Sequence, residues 1–194
     1  MGDRCYMQIT LHGHIEDLDT LDLVIEALKG QNMDPADGEG SYYGNDNVNP
    51  LFMKAFAHAI AFERNPQFVD DEHNYADISE LESVLAQHNI AYAVYHGPGD
   101  EYSGANWAFV PTSDNSAFNK FEIQLDRDGD AVFTVNEIEN LLNDSTDPLI
   151  DLAKRVHEAR LAEGETMPQF SVGDELKRHL ATLMGVEALS PATV

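Results

Sequence analysis

Three aspartates alternate along residues 126–137, DRDGDAVFTVNE, and a glutamate closes this segment. Ca²⁺ binds in proteins through several oxygen ligands, which come from carboxylates and backbone carbonyls. Such a ligand set could be supplied by Asp126, Asp128, Asp130, the carbonyl of Val132, and Glu137. The residue types and their spacing therefore indicate one candidate calcium site.

The segment resembles the calcium-binding loop of EF-hand proteins, and this resemblance implies a calcium-binding regulatory protein. The EF-hand loop has glycine at its sixth position, where the backbone turns sharply, whereas this chain has Ala131. A left-handed backbone costs alanine roughly 1 kcal/mol relative to glycine. EF-hands normally pair, and no second Asp-x-Asp-x-Asp loop occurs in the sequence. The resemblance thus covers a single degenerate loop.

A β-hairpin is the alternative interpretation of the same residues, and we favour it. Residues 121–125 alternate between apolar and polar side chains as in a strand, and Asp128-Gly129 suits a type I′ turn. Thr134 and Glu137 have the spacing of a capping box before an apolar helical pattern. A Glu137 that caps this helix cannot also bind calcium. Calcium therefore remains an alternative, and no other cofactor is expected.

A second possible metal site is the pair His12 and His14, which would share one face of a strand. Two imidazoles at this spacing occur in metal sites. The sequence offers no further His-x-His or Glu-x-x-His pattern to complete a ligand set. We therefore expect surface or core histidines.

Charge is the most distinctive property of the chain. Its 194 residues include 35 Asp and Glu but only 11 Lys and Arg, for a net charge of −24. Such a surface repels nucleic acid and anionic membranes and attracts cations or basic protein surfaces. The acidity has three possible explanations: solvation in a salt-adapted protein, cation binding, or mimicry of nucleic-acid phosphates.

The acidic residues recur in clusters along the chain. Several clusters precede predicted helices, where the helix dipole stabilises acids, but this effect does not explain the scarcity of Lys and Arg. We expect the clusters to form a partner-binding surface. Its candidate residues are Glu16, Asp17, Asp19, Asp22, Asp34, Asp37, Glu39, Asp70, Asp71, Glu72, Asp100 and Glu101.

The remaining composition indicates a globular protein. Hydrophobic residues make up 43% of the chain, which is enough for a core. No apolar run approaches the length of a membrane span, and the N-terminal residues lack the pattern of a signal peptide. The single cysteine, Cys5, excludes an internal disulfide. These features predict a cytoplasmic location.

The elements that must position these residues are strands and helices in mixed order. Strands are predicted near residues 5–15, 68–74, 90–96 and 106–110, the last two as a hairpin. Helices are predicted after Asp17 or Asp19, after Asn49-Pro50, and after Asp77, where residues 77–80 have the pattern of a capping box. Gly30 is predicted to form a left-handed C-cap. The expected fold class is α+β, with a small mixed or antiparallel sheet and helices packed on one face, of the split βαβ type.

The C-terminal third is predicted to be helical. Asp147-Pro148 opens a helix whose residues Leu149, Leu152, Val156 and Ala159 are expected to face inward. A further helix is expected to begin at 171–174. We predict an α+β domain over residues 1–145, C-terminal helices packed on it over 146–189, and a tail over 190–194.

In size and charge the chain resembles phage- and plasmid-encoded inhibitors of restriction and CRISPR systems. That resemblance implies a non-enzymatic acidic protein whose carboxylates imitate phosphates and engage a basic, nucleic-acid-binding protein or complex. The sequence predicts no direct binding to nucleic acid or membrane, and it leaves the oligomeric state open. The alternatives are the calcium-binding protein and a salt-adapted protein without mimicry.

Overall fold

A computed structural model describes residues 4–36, 49–74, 77–98, 103–111, 118–164 and 167–183. The described helices are α1 Leu18–Gly30, α2 Asn49–Ala61, α3 Ser79–Gln87, α4 Val135–Asp144, α5 Pro148–Ala162 and α6 Asp174–Leu183. The described strands are β1 Arg4–Leu11, β2 His14–Ile15, β3 Asp34–Pro35, β4 Gln67–Asn74, β5 Tyr92–His96, β6 Ala105–Pro111, β7 Phe118–Leu125, β8 Ala131–Val132 and β9 Ser171–Val172. None of these helices is long and apolar enough to span a membrane.

Seven of the strands form one sheet in the order β3-β4-β1-β5-β6-β7-β8, with antiparallel neighbours throughout. Because β4 and β5 both run antiparallel to β1, they run parallel to each other with β1 between them. The unit β4-α3-β5 is therefore a split βαβ unit. The predicted α+β class and its mainly antiparallel sheet are confirmed.

The main core lies on one face of this sheet. Met7, Ile9 and Leu11 alternate along β1 with no exposed surface, and they pack with the buried stripe of α1, which includes Val24 and Leu28. Full burial stabilises each such aliphatic side chain by about 1.5–3 kcal/mol. Helices α2, α3 and α6 contribute further apolar residues to the same core. This packing holds α1 and α6 in place, and the candidate site lies between the starts of these two helices.

A smaller core lies on the other face of the sheet, beneath α5. The side chains of Ile123 and Leu125 alternate with Glu122 and Gln124 along β7, and they pack against Ala159 and Ala162 of α5. The predicted inward position of Ala159 is confirmed. The prediction is wrong for the other three residues of the stripe: Leu149 is 79% exposed, Leu152 38% and Val156 40%. The sheet covers only the C-terminal half of α5, which explains this difference.

Most of the predicted helix starts are confirmed. The Asp17 carboxylate accepts a hydrogen bond from the backbone N–H of Thr20, and Asp147 likewise caps α5. The predicted C-cap at Gly30 is wrong, because the left-handed residue after α1 is Asn32, with a φ of 55°. The capping box predicted for α3 does not form either, since the Asp77 carboxylate accepts from the N–H of Ser79, only two residues on.

The carboxylate of Glu82 on α3 joins three donors on the sheet. It accepts hydrogen bonds from the Tyr92 hydroxyl at 2.9 Å and from the indole N–H of Trp107 at 2.7 Å, and the Lys120 ammonium lies 3.5 Å away. Burial and the neighbouring Glu82 raise the pKa of Tyr92, so the phenol stays protonated and can donate. This contact fixes α3 on the sheet, because each of the two buried donors would otherwise lack a partner.

A C-terminal segment, residues 167–173, lies along the chain that leaves β1. The His12 ring is 3% exposed, and its Nδ1 lies 3.1 Å from the carbonyl oxygen of Pro168. The Asn65 carboxamide accepts a hydrogen bond from the N–H of Phe170. Within the described part of the chain, Nε2 of His12 has no hydrogen-bond partner. Nδ1 of His12 also lies 3.2 Å from the amide nitrogen of Asn65.

The burial of His12 predicts a pH dependence of stability. Burial lowers the pKa of His12 below its ordinary value of 6.5, so the unfolded state binds a proton that the folded state resists. The resulting stabilisation is complete above pH 6.5 and is lost as the pH falls towards the folded-state pKa. We therefore expect urea unfolding to show a steeper loss of stability between pH 7.5 and about 5.5 in the wild type than in His12→Asn. Parallel curves for the two proteins would contradict this assignment.

Candidate acidic cleft between α1 and α6

Two short parallel strands place the N-termini of α1 and α6 side by side. Strand β2 pairs in parallel with β9, with His14 opposite Ser171 and Ile15 opposite Val172. Each strand leads directly into a helix, α1 after β2 and α6 after β9. The first turns of the two helices are therefore neighbours, although residues 15 and 172 are far apart in the sequence.

A cavity of about 340 Å³ lies between these helix starts. Four of its lining side chains are carboxylates, and the complete lining is Glu16, Asp17, Leu18, Asp19, Glu175, Leu176 and His179. We call this cavity the acidic cleft. Its concave shape and its charge suit a lysine or arginine side chain presented by a partner.

The carboxylates of the acidic cleft are held in different ways. Hydrogen bonds from Thr20 lower the pKa of Asp17, so Asp17 is ionised at neutral pH. The Glu16 carboxylate lies 2.8 Å from Nε2 of His14, and the other ring nitrogen of His14 bonds with the Ser171 hydroxyl. Asp19 and Glu175 occupy the first turns of α1 and α6, where the helix dipoles favour negative charge. The fold therefore stabilises this set of like charges locally.

The other predicted partner-binding residues have different positions. Asp22 is exposed on α1 outside the cleft lining, and Asp34 is partly buried in β3. Asp71 and Glu72 are exposed on β4, where Glu72 forms an ion pair with Arg4. Predictions for Asp37, Glu39, Asp100 and Glu101 lie outside the described residues.

Asp70 does not belong to the exposed acidic surface. Its side chain is 9% exposed, and its carboxylate lies 3.0 Å from Nδ1 of His73. Nε2 of the same ring lies 3.2 Å from the carbonyl oxygen of Asp77. Both ring nitrogens therefore contact acceptors within the protein, and this buried pair has a structural role.

Sequence reasoning missed Glu175 and His179. Their positions in α6 were foreseeable, because residues 171–174 have the composition of a helix start. Their proximity to Glu16 was not, since it depends on the pairing of β2 with β9. Two-residue strands carry too little periodicity to be recognised from sequence.

The predicted hairpin at residues 126–130 is confirmed, but its turn type is different. Leu125 pairs with Ala131, and the three residues between Asp126 and Asp130 form the turn. Gly129 has a φ of 88°, whereas no other residue of the turn has a positive φ. A type I′ turn requires two such residues, so this is a type I turn followed by a left-handed glycine.

Two carboxylates of the candidate calcium loop, those of Asp126 and Glu137, form hydrogen bonds within the chain. One carboxylate oxygen of Asp126 accepts hydrogen bonds from the N–H groups of Asp128 and Asp130. Glu137 completes the predicted capping box with Thr134 and also contacts the guanidinium of Arg155. No group of three or more Cys, His, Asp or Glu side chains that could hold a metal ion occurs among the described residues. His12 and His14 do not share a face, because His12 is buried and His14 exposed.

The acidic cleft depends on a close approach between Gly173 and the backbone of Glu16. A Cβ atom at position 173 would overlap the carbonyl oxygen of Glu16. We expect Gly173→Ala to destabilise the protein by about 1–3 kcal/mol, as overpacking does, measured by urea unfolding. Gly30→Ala is the matched control, since nothing lies within 4 Å of its added Cβ. Equal stability of the two variants would contradict the proposed packing.

For the calcium loop we expect no calcium-dependent change in the melting temperature at millimolar concentration. A ligand that binds only the folded state would raise the melting temperature. We expect no such binding, because the Glu137 carboxylate already contacts Thr134 and Arg155. The measurement is a pair of melting curves, one with calcium and one with chelator, with magnesium as the control. A calcium-specific increase that Glu137→Gln abolishes would overturn this expectation.

No family model, curated protein or solved structure matches the chain. Its function is therefore inferred from its charge, its cleft and its exposed surfaces.

Proposed function

We propose that this protein is a non-enzymatic inhibitor that binds a basic, nucleic-acid-binding protein or complex and imitates the phosphates of its substrate. The observation that carries this proposal is the acidic cleft, in which four carboxylates converge on a chain with a net charge of −24. Restriction enzymes and CRISPR effector complexes are the class of target that this charge and size fit.

The cleft suits this role because the fold fixes its carboxylates in advance. Glu16, Asp17 and Asp19 lie at the start of α1, and the main core holds that helix against the sheet. Binding a basic partner therefore does not require this region to become ordered, and preorganisation lowers the cost of association. Nucleic-acid-binding surfaces carry Lys and Arg side chains for phosphate contacts, and a carboxylate can accept the same charge-assisted hydrogen bonds.

The concentration of like charges in the cleft also favours a partner-binding role over solvation alone. Solvation requires exposed acids anywhere on the surface. Here the β2–β9 pairing brings Glu175 beside Glu16 and Asp19, although like charges repel. A basic side chain in the cleft would relieve this repulsion, which supports binding of a cationic group at this position.

The same charge directs the protein towards particular partners. Net charge of one sign raises the rate of encounter with an oppositely charged surface and repels nucleic acid and anionic lipids. Salt weakens such an interaction, because the Debye length falls from about 10 Å at 0.1 M to about 3 Å at 1 M. Inhibition should accordingly weaken as ionic strength increases.

The test is DNA cleavage by purified restriction enzymes and guide-loaded CRISPR effector complexes, measured with increasing amounts of this protein. We expect the wild type to inhibit at least one of them at low salt. The triple variant Glu16→Gln, Asp19→Asn, Glu175→Gln should inhibit at least about tenfold less strongly, because charged pairs in an interface are worth about 1.5 kcal/mol or more. Asp17 is left intact, since it caps α1.

The matched control removes the same charge elsewhere, with Glu80→Gln, Glu122→Gln and Glu163→Gln. All three side chains are exposed and lie outside the cleft lining. If both triple variants lose inhibition equally, net charge rather than the cleft is responsible. If the wild type inhibits no enzyme of this class at low salt, the proposed function is wrong.

A further inference from the structure

The N-terminal half of α5 exposes a row of aliphatic side chains. Leu149, Leu152 and Val156 follow one another at intervals of three and four residues, so they share one face of the helix. Their exposed fractions are 79%, 38% and 40%. We call these three residues the α5 stripe. An amphipathic helix normally buries such a stripe, and within this protein the sheet leaves it uncovered.

Further apolar exposure occurs on the helix that precedes α5. Val135 and Leu142 of α4 are 72% and 62% exposed, and they lie two helical turns apart on one face. Helices α4 and α5 are joined by the three residues 145–147, and Arg155 of α5 contacts Glu137 of α4. Exposed apolar groups grouped on one helical hairpin are characteristic of interaction sites.

The charge around the stripe indicates what covers it. Residues 126–162, which include α4 and all of α5, contain nine Asp and Glu and four Lys and Arg. The nearest cations on α5 are paired within the protein: Lys154 lies 3.0 Å from Asp151, and Arg155 lies 3.3 Å from Glu137. The stripe is therefore an apolar patch on a helical hairpin that is net negative, in a chain with a net charge of −24. A second copy of this chain would bring the same negative charge to the contact, so self-association is disfavoured.

We propose that the α5 stripe is a docking surface for a basic protein that offers its own apolar side chains between Lys and Arg residues. This inference rests on the proposed function, because it adds an apolar anchor to the same charged partner. Interfaces commonly have an apolar centre and a polar rim, and a few central side chains supply most of the affinity. The acidic residues around the stripe would supply the rim, and Leu149, Leu152 and Val156 the centre.

The first test uses two synthetic helical peptides of equal length and charge. The Leu peptide has Lys on one face and Leu on the other. The control peptide has Gln at every Leu position. We expect the wild type to bind the Leu peptide at least about tenfold more tightly, measured by fluorescence anisotropy. The double variant Leu149→Ser, Val156→Ser should lose this preference, because its contact with the Leu face is removed.

The matched control is Leu23→Ser, Leu183→Ser, which removes two aliphatic side chains of similar exposure, 51% and 48%, from other helices. It should keep the preference for the Leu peptide. Circular dichroism and melting curves check that both variants fold. Equal binding of the two peptides by the wild type, or an unchanged preference in the α5 variant, would overturn the inference. A wild-type dimer that the α5 variant dissociates would also overturn it, since a second copy would then cover the stripe.

The second test uses any nuclease that the wild type inhibits. Hot-spot truncation typically costs at least about 2 kcal/mol, so the α5 variant should inhibit about 30-fold less strongly. Inhibition equal to that of the wild type would overturn the docking surface and leave the phosphate-mimic proposal intact. If the wild type inhibits no nuclease but keeps its stripe-dependent preference for the Leu peptide, the proposed function fails and the docking surface stands.

Discussion

The parallel contact between β2 and β9 is the constraint on which the candidate site depends. It brings the start of α6 against the start of α1, and Gly173 allows the two backbones to approach closely. The N–H of Gly173 donates to the carbonyl oxygen of Ile15, and the N–H of Ser171 donates to that of Gly13. Without these two bonds, Glu175 would not lie in the same cavity as Glu16.

The fold tolerates this concentration of negative charge because each acid has a local stabilising contact. Asp17 accepts hydrogen bonds from Thr20, Glu16 lies beside His14, and the two helix dipoles favour acids in their first turns. Such contacts offset repulsion without cations from elsewhere in the chain, which has few of them. The carboxylates of the cleft therefore remain exposed, unlike that of Asp70, which is buried beside His73.

The sequence was informative where a residue acts within its own segment. The Asp17 cap, the capping box of Thr134 and Glu137, and the pairing of β5 with β6 depend on short-range patterns, and the structure confirms all three. Prediction from the sequence failed where long-range packing decides the position of a residue. Glu175 joins the cleft through a pairing between residues that are remote in sequence, and periodicity cannot show which side of α5 the sheet will cover. The predicted type I′ turn at Gly129 was also wrong, because an Asp-Gly pair is compatible with more than one type of hairpin turn.

The α5 stripe is the clearest case in which the sequence pattern and the structure differ. An apolar pattern at helical spacing predicts burial, and the pattern in Leu149, Leu152 and Val156 is regular. Their exposure is therefore a disagreement between the sequence pattern and the isolated fold, and such disagreements are expected at functional sites. Charge alone attracts many basic proteins with little discrimination. Under the proposed docking, an apolar row on a negatively charged hairpin would also require a partner with matching apolar residues, and it would narrow the range of partners to those that satisfy both conditions.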